Sequence, residues 1–195
     1  MEESGNKEQG KKKSAPKVKT FSIPFDVLEN TENITINTNI PSRPSKEELI
    51  NQATKFHLEG NILEAAKYYQ CFINQGYKNY RVFSNYGVIL KDAGKLQDAE
   101  LYTRKSIELN PNYEYAYSNL GSILKDLGRL QEAELSTRKA IELNPNYENP
   151  YSNLGTILKD LGKLQDAELS TRKAIKLKPD FADAHSNLGS ILKDL

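Results

Sequence analysis

Apolar side chains recur at helical spacing through most of this chain. Between Glu114 and Leu127 they fall at Tyr117, Leu120, Ile123, Leu124 and Leu127, a broad stripe along one side of a helix. Between Leu130 and Leu143 they fall at Leu130, Ala133, Ala140, Ile141 and Leu143, and charged residues fill the other side. Gly128 stands between the two stretches, where a residue of positive φ ends a helix. Asn144-Pro145 stops the second stretch, because Pro lacks an amide and the residue before it avoids the helical region. The pattern predicts a helical hairpin.

That hairpin is copied. The string from Tyr117 to Pro145 returns nearly unchanged from Tyr151 to Pro179 and, more diverged, from Phe83 to Pro111. Gly87, Gly121, Gly155 and Gly189 stand 34 residues apart, as do Ala99, Ala133 and Ala167, and Pro111, Pro145 and Pro179. One such unit cannot bury its stripe alone, so neighbours must stack on it. Ser45 with Glu48 three residues later reads as a capping box, and helices are predicted over Lys46 to Leu58 and Asn61 to Gln75 around Gly60. This first unit is degenerate, with Ala53 in place of Gly and Tyr77 in place of Pro, as the end of a stack requires. The array is thus expected over 46–195, with units at about 46–79, 80–113, 114–147 and 148–181 and a half unit at 182–195. The half unit has a first helix only, which leaves Leu188, Ile191, Leu192 and Leu195 partly uncovered and suggests either further sequence or self-association through that helix. Residues 1–45 read as a disordered or loosely ordered tail. It carries the basic run Lys11, Lys12, Lys13, Lys17 and Lys19, read as a solvated tail with contact to an acidic partner or nucleic acid as the alternative, and a less polar stretch from Phe21 to Ser45 that suits a short strand or an apron on the first helices. Asn33-Ile34-Thr35 matches a glycosylation acceptor in letters only, with no secretory signal beside it.

With its period of 34, a small residue at the eighth position, Ala at the twentieth and Pro at the thirty-second, the stretch from about Lys46 to Leu195 resembles the tetratricopeptide repeat. The resemblance implies an all-α solenoid, a right-handed superhelix of helix-turn-helix hairpins whose concave wall is lined by first helices. The aromatic of the fourth position is kept as Phe83, Tyr117 and Tyr151 and becomes His185, where a core or rim role is expected. Thr103, Thr137 and Thr171 stand where the family usually has a large side chain, which suggests looser packing offset by Leu101, Leu135 and Leu169.

On that frame, Asn85, Asn119, Asn153 and Asn187 take the sixth position of each unit after the first. They lie off the apolar stripe, so a buried structural role is not expected, and they would form a ladder along the groove. With helices roughly 10 Å apart and an extended peptide rising about 3.3 Å per residue, one Asn would meet a bound backbone at about every third residue. An Asn amide both donates and accepts, which suits a peptide group of any sequence. The ladder is similar to that in the repeat region of O-linked N-acetylglucosamine transferases, and the stretch from Phe181 to Asp194 most of all. Inheritance by recent duplication explains the recurrence equally well. Ser118, Ser122, Ser152 and Thr156 complete the expected peptide-binding groove. Lys91, Lys125, Lys159 and Lys193, each followed by Asp, sit where a cation complements the helix dipole. The Lys, Asn and Arg clamp of members that hold acidic chaperone tails is absent, since the fifth positions are Ile50, Ser84, Ser118 and Ser152.

Composition narrows the function. The formal net charge is +1, from 27 basic and 26 acidic residues, so no overall field draws nucleic acid or an anionic membrane. No apolar run is long enough to span a bilayer, and Cys71 is alone, so a reduced cytoplasmic setting is expected. His57 and His185 lie far apart and outside any HExxH pattern, and no phosphate-binding glycine loop follows a strand; no catalytic residue, metal or cofactor is expected. The sequence therefore predicts a non-enzymatic scaffold that binds an extended polypeptide segment in its concave groove. Its alternative is the substrate-recruiting part of a longer enzyme such as a glycosyltransferase.

Overall fold

A computed structural model describes residues 44–195 of the chain. The expectations placed on the tail, including the basic run from Lys11 to Lys19, Asn33 and all but the last two residues of the stretch from Phe21 to Ser45, lie outside the described residues.

Among the described residues the secondary structure is helical throughout: α1 Lys46–Leu58, α2 Ile62–Asn74, α3 Tyr80–Asp92, α4 Leu96–Leu109, α5 Glu114–Asp126, α6 Leu130–Leu143, α7 Glu148–Asp160, α8 Leu164–Leu177 and α9 Ala182–Asp194. These form an α-solenoid of four hairpins and one further first helix. Ser45 caps α1 as expected: its hydroxyl accepts from the Glu48 amide at 3.2 Å, while the Glu48 carboxylate accepts from the Ser45 amide at 2.7 Å. Gly128 closes α5 with φ of 75°, and its amide donates to the Lys125 carbonyl at 2.9 Å. Asn144 leaves the helical region at φ −144°, ending α6 before Pro145.

The core runs along the axis of the stack rather than sitting at one centre. Leu120, Ile123 and Leu124 of α5 are almost fully buried, as are Ala133 and Ala140 of α6. Ile157 of α7 packs with Leu120, Leu124 and Ala133, and Ile191 of α9 packs with Leu154, Leu158 and Ala167, so each apolar stripe is completed by the following unit. Burying a side chain such as Leu or Ile contributes about 1.5–3 kcal/mol, and most of that here depends on a neighbour being present. First helices of successive units touch directly, α3 on α5, α5 on α7 and α7 on α9, and second helices mostly meet the next unit through its first helix. The first helices therefore form the inner, more crowded wall.

Two packing expectations are overturned. Thr103, Thr137 and Thr171 are wholly buried, and a Cβ built on Gly87, Gly121 or Gly155 would collide with their hydroxyl oxygens. The small residue of the first helix and the Thr of the second thus fit each other closely, and the packing is tight because neither side chain is large. Leu135 and Leu169, 69% and 67% exposed, compensate for nothing; they face solvent, with Leu101 about half exposed. Gly189 on α9 has no atom within 4 Å of such a Cβ, and Leu192 and Leu195 are largely exposed.

Candidate functional site

A groove of about 970 Å³ runs along the inner wall, lined by α3, α5, α7 and α9. Ser118, Asn119, Ser122, Ser152, Asn153, Thr156 and Asn187 all border it, so seven of the eight residues proposed from sequence come together. Asn85 does not. It borders a separate depression of about 550 Å³ at the α1 end, beside Ile50, Thr54 and Tyr69.

The Asn row is more buried, and more committed, than its sequence suggests. Asn119 donates its side-chain amide to the Ser84 hydroxyl at 3.0 Å, Asn153 to Ser118 at 3.5 Å and Asn187 to Ser152 at 3.0 Å. The three serines are buried and the three asparagines half-buried. The expectation that a buried structural role is improbable fails most clearly at Asn85, which is 3% exposed. Its counterpart serine is replaced by Ile50, and Asn85 donates instead to the Tyr69 hydroxyl at 3.2 Å. Tyr69 stands one period before Thr103, so two departures of the first unit explain one changed bond. Ser118 and Ser152 are likewise pinned by the next unit. The Oδ1 atoms of Asn119, Asn153 and Asn187 accept no hydrogen bond within the described residues, which leaves an acceptor at each rung. Thr156 donates its hydroxyl to the Asn153 carbonyl at 2.8 Å, and Ser122 is half-buried on the groove wall.

Charged side chains close one side. Lys91 lies 3.5 Å from both Asp92 of its own helix and Asp126 of the next unit, and Lys159 reaches Asp194 at 3.0 Å. Lys91 and Lys159 thus tie successive units together besides standing in the last turn of their helices, whereas Lys125 pairs with Asp126 of its own helix. Burial raises the Asp92 pKa above 3.8, opposed by Lys91 and aided by the nearby Asp126 carboxylate. Its Oδ2 is buried without a hydrogen-bond partner.

The groove is also bordered by aromatics that the sequence reading missed. Ring centroids of Tyr80 and Tyr113 lie 4.8 Å apart, those of Tyr113 and Tyr115 5.3 Å, and those of Tyr115 and Tyr147 4.8 Å. Tyr115, Tyr147 and Phe181 border the groove. The signal was present: Tyr113, Tyr147 and Phe181 recur at the period of 34, in a stretch that otherwise reads as turn. Lys178 sits 5.2 Å from the Phe181 ring centre and 3.7 Å from Glu148. His185 takes the rim role: its Nε2 is 2.9 Å from the Pro179 carbonyl, where Tyr151 donates its hydroxyl to Pro145 at 3.2 Å one unit earlier.

Among the described residues no group of three or more His, Cys, Asp or Glu is placed to hold a metal ion, and no helix is long and apolar enough to cross a membrane. The groove offers acceptors, carboxylates and ring faces.

Comparison with known proteins agrees with this architecture. Family models of the tetratricopeptide repeat match residues 80–113, 114–147 and 137–168. No curated protein matches the chain. Among solved structures, the MamA protein is 24% identical, with 76% of this chain and 81% of that one covered at a TM-score of 0.63. YrrB, described as a tetratricopeptide repeat protein with an unusual peptide-binding site, is 22% identical, with 77% and 75% covered at a TM-score of 0.64. The first repeat domain of Spaghetti (RPAP3), bound to the HSP90 peptide SRMEEVD, is 24% identical, with 59% and 91% covered at a TM-score of 0.56. At these identities the likeness shows the fold.

Proposed function

We propose that this chain, whose residues 80–168 match family models of the tetratricopeptide repeat, is a non-enzymatic scaffold which holds an extended polypeptide segment in the groove between α3 and α9. One observation carries the reading: polar side chains from successive first helices, Asn119 and Ser122, Asn153 and Thr156, then Asn187, border a single groove at one rung per unit. Rungs about 10 Å apart match every third residue of an extended backbone, and the open Asn Oδ1 atoms suit its N–H groups. Peptide capture is a use to which similar folds are put, as the Spaghetti complex and the description of YrrB indicate. An acidic tail such as SRMEEVD suits this groove poorly, since Asp180 and Asp183 on its wall make no ion pair among the described residues. The reading includes a cytoplasmic setting and self-association through the uncovered face of α9, supported by the exposure of Leu192 and Leu195.

The test is a selection of linear peptides displayed on phage against the whole chain, followed by titration into the variant Ser122→Arg with Thr156→Arg. The reading expects linear binders whose affinity falls by at least about tenfold in the variant, with the far-ultraviolet circular dichroism unchanged. Binders unaffected by the two arginines would place recognition elsewhere and overturn it.

A further inference from the structure

The groove described above presents more negative than positive groups, and what is known of its walls says which kind of segment it takes. Five carboxylates line it against three lysines, Asp180 and Asp183 make no ion pair among the described residues, and each Asn rung offers an acceptor. Tyr115 and Phe181 line the same groove, and rings near carboxylates favour a cation. The missing occupant is therefore a donor-rich, cationic strand.

The chain itself contains one. Between Lys7 and Thr20 six lysines stand against a single acid, Glu8, whereas the whole chain has a net charge of only +1. Resting on the reading of the groove as a site for extended segments, we infer that Lys11 to Lys19 of this same chain occupies it, so that any partner must displace the chain's own tail. Two lengths agree. The groove crosses four first helices, three steps of roughly 10 Å or about 30 Å, and the nine residues from Lys11 to Lys19 extend about 30 Å at 3.3 Å each. Lys19 is separated from Pro44, just before α1, by 24 residues, which at about 3.3 Å each is ample length to bring the run to the groove. Such a tether holds the lysines at an effective concentration on the order of millimolar, so a weak site suffices. Pro16 suits an extended occupant, having no amide to satisfy.

The experiment uses the whole chain and a variant with Lys11, Lys12, Lys13, Lys17 and Lys19 all changed to Glu. At a salt concentration of about 20 mM, the side-chain amide resonances of Asn119, Asn153 and Asn187 should differ between the two, and at about 500 mM they should coincide, because screening removes the attraction. A synthetic peptide of residues 7–20 should shift those resonances in the variant and bind it at least about tenfold more tightly than it binds the natural chain, where the tethered copy competes. Coinciding resonances at low salt would overturn the inference. A peptide with every Lys replaced by Gln provides the separation: if it binds as well as the basic one, the groove takes extended segments but not this tail, and if neither peptide moves the resonances, the groove reading falls too.

Discussion

Asn119 of α5 donates its side-chain amide to the hydroxyl of Ser84 on α3, 3.0 Å away across the boundary between two units. The bond returns one period later at Asn153 and Ser118 and again at Asn187 and Ser152. The polar row along the groove is therefore a set of cross-links between units as well as a surface.

Removing one partner has an unequal cost. Asn119→Ala leaves the fully buried Ser84 hydroxyl unpaired, which should destabilise by about 1–3 kcal/mol. Ser84→Ala leaves the half-buried Asn119 able to turn to water and should cost less. Urea unfolding of both single variants and the double variant measures the coupling, expected at 0.5 kcal/mol or more as an order of magnitude. Strict additivity would mean that the cross-link contributes nothing.

Gly121→Ala drives a methyl into the Thr137 hydroxyl and should destabilise by about 1–3 kcal/mol. Thr137→Ala in the same chain removes the obstacle and should recover part of that loss. Gly189→Ala meets nothing within 4 Å and should instead stabilise by roughly 0.5–1 kcal/mol through helix propensity. Equal effects at Gly121 and Gly189, read from chemical denaturation, would refute the packing account.

His57 is 5% exposed, with Nδ1 3.2 Å from the Tyr69 hydroxyl, and burial holds its pKa below 6.5. The unfolded chain takes up that proton first, so the contribution is complete above about pH 6.5 and is lost as pH falls toward the folded value. Melting temperature should drop between about pH 7 and 5 more steeply in the natural chain than in His57→Gln. Asp92 acts with the opposite sign at lower pH: its raised pKa gives stability present below 3.8 and lost as pH rises through the folded value. Parallel melting curves for the natural chain and His57→Gln would exclude the histidine effect.

Leu135→Gln should change stability by less than about 0.5 kcal/mol, because the side chain is 69% exposed. Leu124→Ala, at 1% exposure, should cost about 2–5 kcal/mol. Thermal unfolding of the pair separates an outward Leu from a core one.

Leu192→Glu with Leu195→Glu should abolish any rise in mass with concentration shown by light scattering of the natural chain. A natural chain that stays monomeric throughout would end the proposal of self-association through α9.

Local signals determined most of the fold. Apolar spacing set the helices, Ser45 and Glu48 set the first cap, Gly128 and Pro145 set the turns, and the period of 34 required a stack, since all of these act within a few residues or repeat exactly. The row of groove positions was legible for the same reason. What the row is bonded to was not: the partner of Asn119 lies 35 residues away, and a side chain's exposure depends on how close two units come. Tertiary structure alone decided that Thr137 is the buried packing residue and Leu135 the exposed one, because Gly121 admits only a small neighbour. It also decided that Asn85 turns to Tyr69 rather than to a serine, since the first unit offers Ile50 at that place and a buried amide must find another acceptor.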